Sequence, residues 1–119
     1  MSDVSIPPQL QEQLMLLQQL QQTFQVVTSQ RQQLERDNLE ADKALSELEK
    51  MSDKAVVYKS IGAILVQSER RKLIEELTER KELLDMRIKV LTRQQNRTEE
   101  QLKELQQKVQ ARLRTSSQK

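Results

Sequence analysis

Apolar residues recur along two stretches of this chain at the spacing of a coiled coil. With Leu10 set as an a position, the a series runs Leu10, Leu17, Phe24, Arg31, Asn38, Leu45. The d series runs Gln13, Leu20, Val27, Leu34, Ala41, Leu48, and nine of the twelve positions are apolar. A heptad sustained that long predicts a seam against a second helix. A second register opens at Ile74, with Ile74, Lys81, Ile88, Gln95, Leu102, Val109 at a and Leu77, Leu84, Leu91, Thr98, Leu105, Arg112 at d. Eight of these twelve are apolar. Pro7-Pro8 marks the first helix start, because proline at the first helical position lacks only a hydrogen bond that no helix makes there. Ser68 is the expected N-cap of the second helix, with Glu69 in its first turn. The pattern predicts helix over about 8–50 and 69–113, with a polar tail over 114–119.

Two helices of such similar length are expected to fold back on each other as an antiparallel pair. That pairing sets Leu48 beside Ile74 and Leu10 beside Arg112, to within about one turn. Arg31 then faces Leu91, Asn38 faces Leu84 and Gln95 faces Val27. Polar seam residues trade stability for register, and Arg31 and Lys81 are expected to carry their charged heads out to water.

The segment between the helices breaks the pattern. VVYKSIGAILVQ, residues 56–67, is β-branched, lacks acids and holds the chain's single Gly and single Tyr. It reads as a β-hairpin over 55–67, with strands at 56–60 and 63–67. A three-residue loop Ser60-Ile61-Gly62, with Gly62 at positive φ, is the expected connection. Alternation places Val56 and Tyr58 on one face and Val57 and Ile61 on the other, while Ile64 and Val66 oppose Ala63 and Leu65. Both faces are apolar, yet a lone two-stranded hairpin is marginal in water and leaves two open edges. The hairpin therefore reads as an association element that closes against copies from other subunits, through Val56, Val57, Tyr58, Ile61, Gly62, Ile64, Leu65 and Val66. A buried helical connector is the competing reading, disfavoured by Gly62 and the clustered Val and Ile.

Composition narrows the function. Aromatics are 2% of residues, mean hydropathy is -0.78 and about a third of the chain is charged, a profile of long helices rather than of a rounded core. There is no Cys and no His, so disulfides, the usual zinc ligands and the commonest general base are missing. No Gly-rich phosphate loop is present. The expectation is no enzyme, no cofactor and no metal. No apolar run approaches the ~20 residues of a membrane span, and MSDVSIPP lacks the features of a secretory signal. These predict a soluble, cytoplasmic protein with no membrane partner. Net charge is +2. The basic run Arg87, Lys89, Arg93, Arg97 is followed at once by Glu99, Glu100 and Glu104, which reads as a solvated helix face rather than a nucleic-acid surface.

Val57-Tyr58-Lys59, then Gly62, then Leu65-Val66, followed by a helix with Glu75-Glu76-Leu77, resembles the archaeal-type β class of prefoldin subunits. The opening IPPQLQEQL is similar to that family's start, and the likeness spans residues 6–113. The α class carries two hairpins, for which the interhelical segment has no room. The resemblance implies one prefoldin-like domain over 1–119 of mainly α class: a long antiparallel two-helix coiled coil with one central β-hairpin that assembles into an intersubunit β-barrel. It implies an ATP-independent holdase, a hexamer of two α-class and four β-class subunits. Its coiled-coil tips capture unfolded client proteins and deliver them to a group II chaperonin.

The residues support the tip independently. In LQEQLMLLQQL, residues 10–20, Leu14 and Leu16 flank the seam and Met15 points away from the partner helix, an apolar surplus that two helices cannot bury. Residues 9–30 carry a single charge, Glu12. An exposed apolar surplus marks an interaction surface, and Met and Leu adapt to varied partners. The expected client-binding set is Ile6, Leu10, Leu14, Met15, Leu16, Leu17, Val109 and Leu113. A structural coiled-coil scaffold or adaptor is the alternative, and it would place polar residues where Met15 stands.

Overall fold

The computed structural model describes residues 6–117, in the order α1 (Pro8–Glu49), β1 (Val57–Ile61), β2 (Ile64–Ser68) and α2 (Arg70–Ser117). The Pro7 carbonyl accepts the first helical hydrogen bond, from Gln11 N–H at 3.0 Å, which puts Pro8 at the first helical position as its chemistry favours. Helix α2 starts one residue later than expected. Ser68 ends β2, and the Glu69 carbonyl accepts from Leu73 N–H at 3.0 Å, so Glu69 is the cap. At the other end α2 continues to Ser117 rather than stopping at 113, because 114–117 contain no Gly or Pro to break it. The last two residues of the expected polar tail, Gln118 and Lys119, lie outside the described residues.

The contacts divide the chain into two compact units. One is Arg31–Val90, and the other combines the chain up to Gln30 with the chain from Leu91. In the first, α1 and α2 run antiparallel. Leu48 packs with Val57 and Leu73, flanked by Ile74 and Leu77. Further along, Lys81 Nζ lies 3.0 Å from Asp42 Oδ1, and Asn38 Nδ2 donates to Asp85 Oδ1 at 2.6 Å. The expected neighbours of Leu48 and Asn38 are thus met within one turn. Leu73 precedes the a position, yet it is buried at 9% exposure because the hairpin's Val57 covers it. In the second unit the helices are again antiparallel: Leu10 packs with Leu105 and Val109, with Leu17 and Leu20 against them.

The hairpin register is Val57↔Ser68, Tyr58↔Gln67, Lys59↔Val66, Ser60↔Leu65 and Ile61↔Ile64. Its turn is the two residues Gly62-Ala63, not the expected three-residue loop. Gly62 has φ 57° and no other described residue has positive φ, the pattern of a type II′ turn with Gly at its first central position. The pairing puts Val57, Lys59, Ile61, Ile64 and Val66 on one face and Tyr58, Ser60, Leu65 and Gln67 on the other.

Candidate functional site

Two apolar surfaces stand out, one in each unit. The first is the hairpin. Val57 is the one strand residue taken into the core, at 6% exposure, and this corrects its expected place among the association residues. Its side chain is used up between Leu48 and Leu73 within its own chain. Val56, Tyr58, Ile61, Ile64, Leu65 and Val66 remain exposed, Leu65 the most at 71%. Gly62 contributes the turn rather than a contact. Between β1 and the helices lies a groove of about 900 Å³ that includes Leu48, Met51, Val56, Tyr58, Leu77 and Leu83 in its lining. A hairpin with one buried side chain and a groove beside it is an incomplete core.

One ion pair links the hairpin to α2. Lys59 Nζ donates to Glu76 Oε2 at 2.8 Å. This hydrogen bond holds the Glu76 carboxyl below its ordinary value, with the charges of Lys59 and Lys72 helping and partial burial opposing. Arg70 Nε donates to the Leu48 carbonyl at 2.6 Å, and its guanidinium also donates to Asp53 Oδ1 at 2.9 Å. In the same unit the Asp42 carboxylate, accepting from Lys81, raises that ammonium above its ordinary value.

The second surface is the end of the other unit, where α1 begins and α2 finishes. Ile6, Leu14, Met15, Leu16 and Leu113 are exposed there, Met15 at 63%. Leu17 is half-buried. Leu10 and Val109 are core residues at 3% and 5% exposure, which corrects their expected place on the client surface: they are seam positions, and the seam is closed. Arg112 donates to Gln9 Oε1 at 2.8 Å across the two helices beside them. The heptads mark Leu20 only as a seam residue. With Leu16 and Leu105 it forms the apolar floor of a groove of about 220 Å³ that also includes Gln101, Glu104 and Lys108.

Sequence reasoning missed more of the surface. Leu83, Met86 and Val90 are exposed and share one face of α2 at i, i+3, i+7 spacing, but they lie outside the seam on which the heptad analysis concentrates. Arg70 gave no signal either, since its role depends on where α1 ends. Among the described residues no group of acids could hold a metal ion, and no helix is long and apolar enough to cross a membrane.

A family model described as prefoldin subunit matches residues 11–116. The chain is similar to the prefoldin subunit beta of Pyrococcus furiosus, 44% identical over 92% of this chain and 94% of that one. The same subunit of Archaeoglobus fulgidus is 46% identical over 88% of this chain and 90% of its own. The crystal structure of the prefoldin beta subunit from Thermococcus strain KS-1 superposes with a TM-score of 0.82 at 42% identity, covering 92% of this chain and 96% of that one.

Proposed function

The chain belongs to the prefoldin subunit family, and we propose that its two exposed apolar surfaces divide the work of a holding chaperone between assembly and capture. The family is one of chaperones, and its β-class subunits form hexamers with other prefoldin subunits. In this reading the chain acts in the cytoplasm, without ATP and without catalysis, as one prefoldin-like unit over residues 1–119. Val56, Tyr58, Ile61, Ile64, Leu65 and Val66 pair with the hairpins of neighbouring subunits into a β-barrel, which supplies the open strand edges with hydrogen-bond partners. The partners are an α-class subunit, in a hexamer of two α and four β, and a group II chaperonin that receives the client.

Capture falls to Ile6, Leu14, Met15, Leu16 and Leu113. The observation that carries it is their exposure at an end where residues 9–30 contribute only Glu12 in charge. Such a surface costs solubility unless something binds it. Each patch is small and holds weakly by itself; several in one hexamer act together through effective concentration.

The test replaces Leu14, Met15 and Leu16 together with Ser in the assembled oligomer. The oligomer's mass by light scattering is expected to stay the same, while protection of a chemically unfolded client from aggregation is lost. Protection at the unsubstituted level would overturn the reading.

A further inference from the structure

The capturing end carries a small positive balance beside its apolar surplus. Over residues 6–20 and 101–115 the charged side chains are Lys103, Lys108, Arg112 and Arg114 against Glu12 and Glu104. All four cations are exposed. Lys103 is engaged with Glu99 at 3.5 Å. Arg112 makes its hydrogen bond to the neutral amide of Gln9, which leaves its charge uncompensated by that contact. Glu104 stands one turn before Lys108 at the same groove and offsets part of its field, yet the balance of this end stays positive.

The groove lies where apolar floor and cation meet. Leu16, Leu20 and Leu105 offer an apolar surface, and Lys108 stands beside them. At about 220 Å³ it is smaller than the roughly 300–1,000 Å³ of pockets that take whole small molecules. It suits one large apolar side chain of an extended segment. A carboxylate next to that side chain would then fall within reach of Lys108 and Arg112, whose fields extend about 10 Å at 0.1 M salt.

We propose that this end selects, among unfolded segments, those in which a large apolar residue is flanked by Asp or Glu. The inference rests on the capture reading above and adds a preference to it. Complementary charge of this kind acts on choice of partner and rate of encounter more than on total affinity.

Two fluorescently labelled peptides test it. They share the core Leu-Phe-Leu and differ only in flanks of Asp or of Lys, and each is titrated onto the assembled oligomer by anisotropy. The Asp-flanked peptide is expected to bind about fivefold tighter at 50 mM salt, the gap of one or two exposed charge pairs. The gap should close near 0.5 M salt, where screening is complete over these distances. In Lys108→Glu, and more mildly in Lys108→Gln, the preference should shrink or invert with helix content and oligomer mass unchanged. Equal binding of both peptides at low salt overturns the selectivity and leaves capture standing. Binding of neither overturns both.

Discussion

Arg70 Nε donates a 2.6 Å hydrogen bond to the carbonyl of Leu48, so the first residue of α2 closes the last turn of α1. The last carbonyls of a helix have no partner within it, and a cation there also meets the negative end of the helix dipole. Met51 N–H accompanies it, donating to the same carbonyl at 3.2 Å. Because Leu48 is itself a core residue, the cap and the core under the hairpin are one feature. Arg70→Gln is expected to lower stability by about 1–2 kcal/mol in urea unfolding. Asp53→Ala should change it by less than about 0.5 kcal/mol, since the Asp53 side chain is 94% exposed and such ion pairs contribute little. Equal losses from the two substitutions would shift the role of Arg70 to the ion pair.

Leu48 and Leu65 separate folding from assembly. Leu48→Ala removes a side chain that is 5% exposed and should cost about 3 kcal/mol. Leu65→Ser alters a side chain that is 71% exposed, so the isolated chain should melt nearly as before. Its effect is expected in mass instead: light scattering after size exclusion, with an α-class partner added, should show smaller particles. An assembly indifferent to Leu65→Ser and Tyr58→Ser together would remove the hairpin from the subunit interface.

The Lys59–Glu76 pair makes an acid-side prediction. The folded-state value of Glu76 is lowered by the hydrogen bond from Lys59. Its stabilisation is therefore present above the ordinary carboxylate value of 4.5 and is lost as pH falls through the lowered folded value. Lys59→Gln should lower the melting temperature slightly at neutral pH and converge with the parent in acid, so that the fall below about pH 5, where carboxylates titrate, becomes flatter. Lys81 runs the other way. Its value is raised by Asp42, so its stabilisation is present below the ordinary 10.5 and is lost as pH rises through the raised value. Asp42→Asn should remove that contribution at neutral pH and so flatten the alkaline limb.

Much of this architecture was legible because heptads are a one-dimensional signal. Leu10, Val27, Ala41, Leu48, Leu84, Leu102, Leu105 and Val109 all fall at a or d positions and all are buried. The hairpin is legible from Val57, Tyr58 and Gly62, but its turn is not: the sequence suits Gly62 both as the end of a three-residue loop and as the first central position of the II′ turn the chain adopts. What the heptads could not show was the effect of the hairpin on the helices. The burial of Leu73 and the capping by Arg70 depend on where residues 50–57 return, and no periodicity encodes that. The capture surface shows the reverse relation between seam and exposure. Leu10 and Val109 are seam positions that the expected capture surface also includes, whereas in the structure they pack together with Leu105 across the coil.

Leu10 and Met15 therefore make the sharpest pair of substitutions. Met15 is 63% exposed, so Met15→Ser removes apolar surface already in water and should leave the melting temperature within about 2 °C, as for most surface changes. Leu10 is 3% exposed and packs on Leu105 and Val109, so Leu10→Ser should lower stability by about 2–4 kcal/mol and fray this end of the coil. If holding depends on the preformed surface, Met15→Ser lowers protection of an aggregating client without loss of stability. Leu10→Ser would then lower protection only as far as it unfolds the end, a loss that appears together with faster amide exchange over α1 near Leu10 and α2 near Val109. If Leu10→Ser abolished protection while exchange there stayed slow, Leu10 would touch the client directly, and the seam would have to open during capture.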